Sequence, residues 1–153
     1  MAGLPVWFTQ LNWQGPFSIH QVNADRSVLP EWPGLYVFTA DKGPLIPAQV
    51  LYIGETGQKG GLRARVASYL VNWRIPKERE SHKGKGFVLE YRSLHGDQNT
   101  FLRWVEYGGS NADRHTIEAS LIEHFAPQMN DRLEYLRHPV LAEDERLDPR
   151  LLG

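Results

Sequence analysis

The sequence predicts an α+β domain, and three observations carry that prediction. Two apolar runs, Gly34 to Thr39 and Val50 to Gly54, read as neighbouring strands. A third, Phe101 to Tyr107, follows a turn. Between and after them lie two segments whose apolar residues recur at helical spacing, about Leu62 to Trp73 and about Asn111 to Phe125.

Each element has a local reason. The N-terminal extension, residues 1–31, places Trp7, Phe8, Trp13 and Phe17 among turn residues such as Gly15 and Pro16. That much aromatic surface is expected to pack on the core. Pro30, Pro33 and Gly34 punctuate the start of the first strand. The connection to the second strand, with Gly43, Pro44 and Pro47, is long for a hairpin. Gly60 and Gly61 precede the first helix, in which Leu62, Val66, Tyr69, Leu70 and Trp73 recur. Residues 74–85, RIPKERESHKGK, read as a polar basic loop. Phe87 to Arg92 and Phe101 to Tyr107 read as strands around a turn at His95-Gly96-Asp97. Ser110 or Asn111 can cap the second helix, and Pro127 stops it. The charged tail, residues 132–153, is compatible with a short helix. The chain therefore reads as a single domain, 1–153, with a core at 32–131 and two packed extensions.

Composition narrows the function classes. A chain of 153 residues can bury a real core, and 41% apolar with 23% charged residues is ordinary for a soluble protein. No apolar stretch approaches the roughly 18 residues of a membrane span. Met1 to Trp13 lacks the basic residues of a signal peptide, so a cytoplasmic location without a membrane partner is expected. The absence of cysteine excludes disulfides and thiolate metal sites. Net charge is −1, yet residues 55–92 hold nine Lys/Arg against four Glu, a local balance of +5. A basic middle is either a footprint for a polyanion or a solvated face without a partner.

Chemistry-bearing residues sit at specific helical positions. At about 100° per residue, Ile117, Leu121, Ile122 and Phe125 define an apolar arc, and Glu118 falls inside it. A carboxylate there must be paired, protonated or bound to a cation; pairing with Arg114 one turn earlier is the plainer alternative. On the first helix, Arg65 borders the apolar arc one turn before Tyr69, and Arg63 lies on the opposite border. A border arginine can bury its stem and present its fork to a phosphate, or merely cover apolar surface.

In order along the chain stand Gly34-Leu35-Tyr36, Tyr52-Ile53-Gly54, Leu62-x-x-Arg65, Tyr69, Glu118 and Pro127-x-x-Asn130. This series resembles the GIY-YIG nuclease superfamily over residues 32–131. Its most specific part is Ile117-Glu-Ala-Ser-Leu-Ile122 followed by Pro127 and Asn130. Leu35 replaces the isoleucine of the family name, and the spacer at residues 37–51 is longer than is common. Arg63 competes with Arg65 for the arginine role; helical position and the following Tyr69 favour Arg65.

The resemblance implies a small three-stranded antiparallel sheet flanked by helices, and a metal-dependent endonuclease that hydrolyses phosphodiester bonds in DNA. It implies that Glu118 is the sole protein ligand of magnesium or manganese, and that Arg65 stabilises charge on the scissile phosphate. Tyr36 and Tyr52 would line the site, one of them orienting or deprotonating the water. Tyr69 matches a position often held by tyrosine or histidine, and Asn130 would lock the site by hydrogen bonding. Tyrosine ordinarily titrates near 10, so a tyrosine base needs positive charge beside it. Arg63, Lys77, Arg79, Lys83 and Lys85 are the expected phosphate contacts. The six histidines form no metal-binding pair on one helix face, so zinc is not expected.

Without a zinc finger or helix-turn-helix, a compact nuclease acting on DNA structure or recruited by a partner protein fits best. The rivals are a non-catalytic nucleic-acid-binding or scaffold module of the same fold, and a toxin-like nuclease.

Overall fold

The computed structural model describes residues 4–71, 83–130 and 136–152. It is an α+β structure whose four-stranded antiparallel sheet is built from β1 (Gln14–Ser18), β2 (Gly34–Thr39), β3 (Val50–Thr56) and β4 (Phe101–Glu106), in the order β1-β4-β2-β3. Among the described residues five α-helices flank it: α1 (Val6–Thr9), α2 (Ile19–Ala24), α3 (Gly61–Ala67), α4 (Lys83–His95) and α5 (Asn111–Phe125).

The sheet has one strand more than the three expected. β1 comes from the N-terminal extension and pairs with β4. Gly15 and Pro16 disguise it, because both read as turn residues. An edge strand tolerates them, since proline withholds only an N–H on the ladder. The register shifts between Gln14 and Phe17, and Phe17 stacks on Trp104 with ring centroids 5.2 Å apart.

β2 is central, and all six of its residues are buried. Alternation along it divides the core in two. Leu35 and Val37 join Ile53, Val105 and the apolar arc of α5, with Trp7 and Phe8 of α1 packed in. Tyr36 and Phe38 join Tyr52, α2, Leu62 and Val66 of α3, Tyr69 and Val88 of α4. The expected packing of Trp7 and Phe8 on the core is therefore found.

The second correction is at residues 87–92, which lie inside α4 and not in a strand. Val88, Leu89 and Arg92 are buried, a helical spacing, while Phe87 and Leu94 face water. The sequence hid this because Lys83-Gly84-Lys85-Gly86 is a poor helix start by propensity. Gly84 is needed: an added Cβ would strike the ring of Tyr52.

The third concerns the first helix, which stops at Ala67. From Ser68 to Leu70 the chain tightens into i→i−3 bonds, with Tyr69 N–H donating to Val66 O at 2.8 Å. Ser68 Oγ donates to Arg65 O at 2.7 Å, and Arg92 Nη1 donates to the carbonyls of Tyr69 and Val71 at 2.6 and 2.7 Å. Those carbonyls are thus drawn to Arg92. Trp73 and most of the basic loop lie outside the described residues. α5 matches its expectation: Ser110 Oγ accepts from Asp113 N–H at 3.1 Å, and Ala126 ends the helix in the left-handed region.

Candidate active site

Three tyrosines and one arginine meet on the α3 side of the sheet. Tyr36 opposes Gly54 across the β2–β3 ladder, and Phe38 opposes Tyr52. The ring of Tyr36 lies over Gly54 so closely that a Cβ there would overlap its phenol carbons. Gly34 is equally constrained, since a Cβ would strike the Val105 carbonyl and Leu62. The glycines of both tripeptides therefore serve close packing, and Gly54 fixes where the Tyr36 hydroxyl lies.

Arg65 sits in the last turn of α3, half-buried, and its Nε donates to the Tyr36 hydroxyl at 3.3 Å. The Tyr36 and Tyr69 hydroxyls are 3.0 Å apart, and the Tyr52 ring packs against that of Tyr69. A hydrogen-bonded chain thus runs from the guanidinium through Tyr36 to Tyr69, with Tyr52 packed beside it. The rings pack with centroids 5.6 to 6.4 Å apart. The terminal nitrogens Nη1 and Nη2 of Arg65 make no hydrogen bond among the described residues.

Burial sets the protonation of the cluster. Desolvation, reinforced by Tyr69, pushes Tyr36 well above the ordinary tyrosine value in spite of Arg65 beside it. Tyr69 is raised for the same first reason, with Tyr52 second. Burial alone would lower Arg65, but the oxygens of Tyr36, then Tyr69 and Tyr52, outweigh it and its pKa is raised. At neutral pH the cluster is one cation and neutral Tyr36 and Tyr69 hydroxyls. Neither of those two hydroxyls is set up as a base.

Asn130 closes the edge of the sheet. Its Oδ1 accepts from Ile53 N–H at 2.9 Å and its Nδ2 donates to Ile53 O at 2.7 Å. With Met129 N–H bonded to Leu51 O at 3.2 Å, the segment after α5 completes the open edge of β3. Ile53 stands between Tyr52 and Gly54, so this clamp holds both site residues in register.

Glu118 is 4% exposed on α5. It lies one turn, about 6 Å, beyond Arg114. Arg114 does not serve it: that guanidinium binds Glu55 on β3 at 3.2 Å, with the Gly109 carbonyl and Asn111. Arg114 and His115, the latter 3.0 Å from Glu55, fasten the start of α5 to the end of β3. Among the described residues no three His, Asp or Glu gather as a metal site. Among the described residues the buried carboxylate is Glu118, a type of donor that suits a hard cation keeping most of its water.

Of the expected phosphate contacts, Arg63 is engaged within the fold, bonded to Leu29 O at 2.8 Å and Glu31 at 2.9 Å. Lys85 is half-buried on α4. Lys77, Arg79 and the side chain of Lys83 lie outside the described residues. Sequence reasoning missed Arg92, which is 7% exposed, pairs bidentately with Asp97 at 2.9 and 3.0 Å, and holds the Tyr69 backbone. Its signal was concealed by reading its segment as a strand. Among the described residues no helix is long and apolar enough to cross a membrane. No family model, no curated protein and no solved structure matches the chain.

Proposed function

We propose that this protein is a metal-dependent endonuclease of the GIY-YIG type that hydrolyses phosphodiester bonds in DNA. The observation that carries the reading is the Arg65–Tyr36–Tyr69 chain, with a half-buried guanidinium oriented through Nε whose terminal nitrogens make no hydrogen bond among the described residues. An arginine fork matches two phosphate oxygens, and electrostatic stabilisation is the larger part of phosphoryl-transfer catalysis.

In this reading Arg65 grips the scissile phosphate and offsets the charge that develops on it. Tyr36 accepts the Arg65 Nε–H and so orients the guanidinium. Tyr52, packed against the rings of Tyr36 and Tyr69, would orient the attacking water. Glu118 would hold magnesium or manganese, which when bound supplies Lewis-acid charge and a more acidic water. Asn130 and Arg92 position β3 and Tyr69 without touching substrate.

The raised pKa values of Tyr36 and Tyr69 also suit the rival reading, a module that binds nucleic acid without cutting it. Incubating purified protein with plasmid, branched DNA and RNA, with magnesium, manganese or chelator, separates the two. Cutting that requires the ion supports the nuclease; binding without cutting under every condition supports the module.

A further inference from the structure

Trp32 is 51% exposed, whereas Trp7 and Trp104 are 2% and 3% exposed. It is nevertheless firmly held. Leu62 N–H donates to the Trp32 carbonyl at 3.0 Å, Arg63 N–H to Pro30 O at 3.0 Å, and Tyr107 N–H to Pro33 O at 2.8 Å. The backbone of Trp32 fills the space a Gly61 side chain would need, and its indole rests against Gly108. The Trp32 backbone is fixed against α3 and the segment after β4, while its indole, resting against Gly108, stays half in water. Such a rigid, open aromatic face is a stacking platform.

Its place in the fold says what it serves. Trp32 precedes Tyr36 by four residues, a reach of at most about 14 Å. Gly61, in contact with it, stands one helical turn, about 6 Å, before Arg65. Lys59 is exposed in the loop between β3 and α3, while Glu31, next to Trp32, is paired with Arg63 at 2.9 Å. The Trp32 backbone is thus bonded to the first turn of the helix that carries Arg65, and its neighbour Glu31 is neutralised.

We propose that Trp32 stacks an unpaired nucleobase next to the phosphate held by Arg65, so that the protein prefers single-stranded or unpaired DNA at its cutting site. This rests on the nuclease reading above. A base has a π-face whatever its identity, so the stack selects for unpaired structure and not for sequence.

The test uses the full chain and a fluorescently labelled 12-nucleotide oligo-dT, with Glu118→Gln as a non-cutting background for anisotropy. Trp32→Ala should weaken binding about 5- to 150-fold, the 1–3 kcal/mol of one base–aromatic stack. Trp32→Tyr should keep most of the affinity, which also guards against a folding artefact. Scanning an abasic site along the oligonucleotide should reveal one position whose loss weakens the Trp32 protein by the same factor and leaves Trp32→Ala unaffected. If that protein binds and its parent cuts, but Trp32→Ala binds equally well, the stacking role is wrong and the nuclease reading stands. If the parent protein neither binds nor cuts any nucleic acid, both fall.

Discussion

Asn130→Ala is the perturbation whose cost is most directly read from the structure. The side chain makes two hydrogen bonds, of 2.9 and 2.7 Å, to the N–H and C=O of one residue, Ile53. Ile53 is fully buried and Asn130 is 9% exposed, so the truncation leaves two backbone groups with poor access to water. Each unsatisfied group costs about 1–3 kcal/mol. Some hydration through the space left behind offsets part of this, and a loss of about 2–4 kcal/mol is expected. That is a large share of the roughly 5–15 kcal/mol of a typical domain. Urea unfolding with an unchanged slope should show it, and hydrogen exchange at the Ile53 amide should accelerate. Asn130→Asp keeps the acceptor for Ile53 N–H but sets a carboxylate against Ile53 O, so at neutral pH it should be no better than alanine. A loss below about 1 kcal/mol, with Ile53 exchange unaltered, would refute the clamp.

The other expectations follow from the same contacts. Gly54→Ala forces the buried Tyr36 ring aside, which should cost about 1–3 kcal/mol in thermal or urea melts and reduce cleavage through misplacement of the hydroxyl; a variant with unchanged melting and activity would contradict the packing role. Tyr36 and Tyr69 titrate higher in the fold than the value near 10 of an unfolded tyrosine. Their stabilising effect is complete below about pH 10 and is lost as pH rises toward the folded values, at up to about 1.4 kcal/mol per pH unit each. Tyr69→Phe should make the alkaline fall in stability shallower by about that slope, and an identical fall would show that Tyr69 does not keep its proton. Neutralising Lys77, Arg79, Lys83 and Lys85 together should flatten the salt dependence of duplex binding by about 3 to 4 in log–log slope, and an unaltered slope would place the phosphates elsewhere. Glu118→Gln should abolish ion-dependent cleavage while nucleic-acid binding persists; cutting at the parent rate would remove Glu118 from the metal role.

What was legible in the sequence was what rests on local pattern. β2 and α5 are long periodic segments with clear ends, and Ser110 and Pro127 mark the limits of α5 as their chemistry requires. The order of glycine, tyrosine, arginine and asparagine positions brought Tyr36, Tyr52, Tyr69 and Arg65 to one side of the sheet. The misses are cases where tertiary contacts override propensity. β1 forms through Gly15 and Pro16 because β4 offers it an edge. α4 starts through Gly84 because the Tyr52 ring occupies the space of a side chain. α3 ends at Ala67 where the chain tightens into i→i−3 bonds, and Arg92, distant in sequence, takes the carbonyls of Tyr69 and Val71 beyond it. Burial likewise decides the tyrosines' protonation, and no motif reveals that a phenol beside an arginine remains raised in pKa.

The central claim, that the guanidinium of Arg65 grips a phosphodiester that the protein cuts, is tested most directly by nicking of supercoiled plasmid. The parent protein should nick with magnesium or manganese and stop with chelator. Arg65→Ala should be slower by about 100-fold or more, the loss expected when one donor to developing charge is removed, and Arg65→Lys should not restore the rate because a point charge lacks the fork. Nicking by Arg65→Ala at the parent rate, or no cutting of DNA by a folded parent protein with either ion, would contradict the claim.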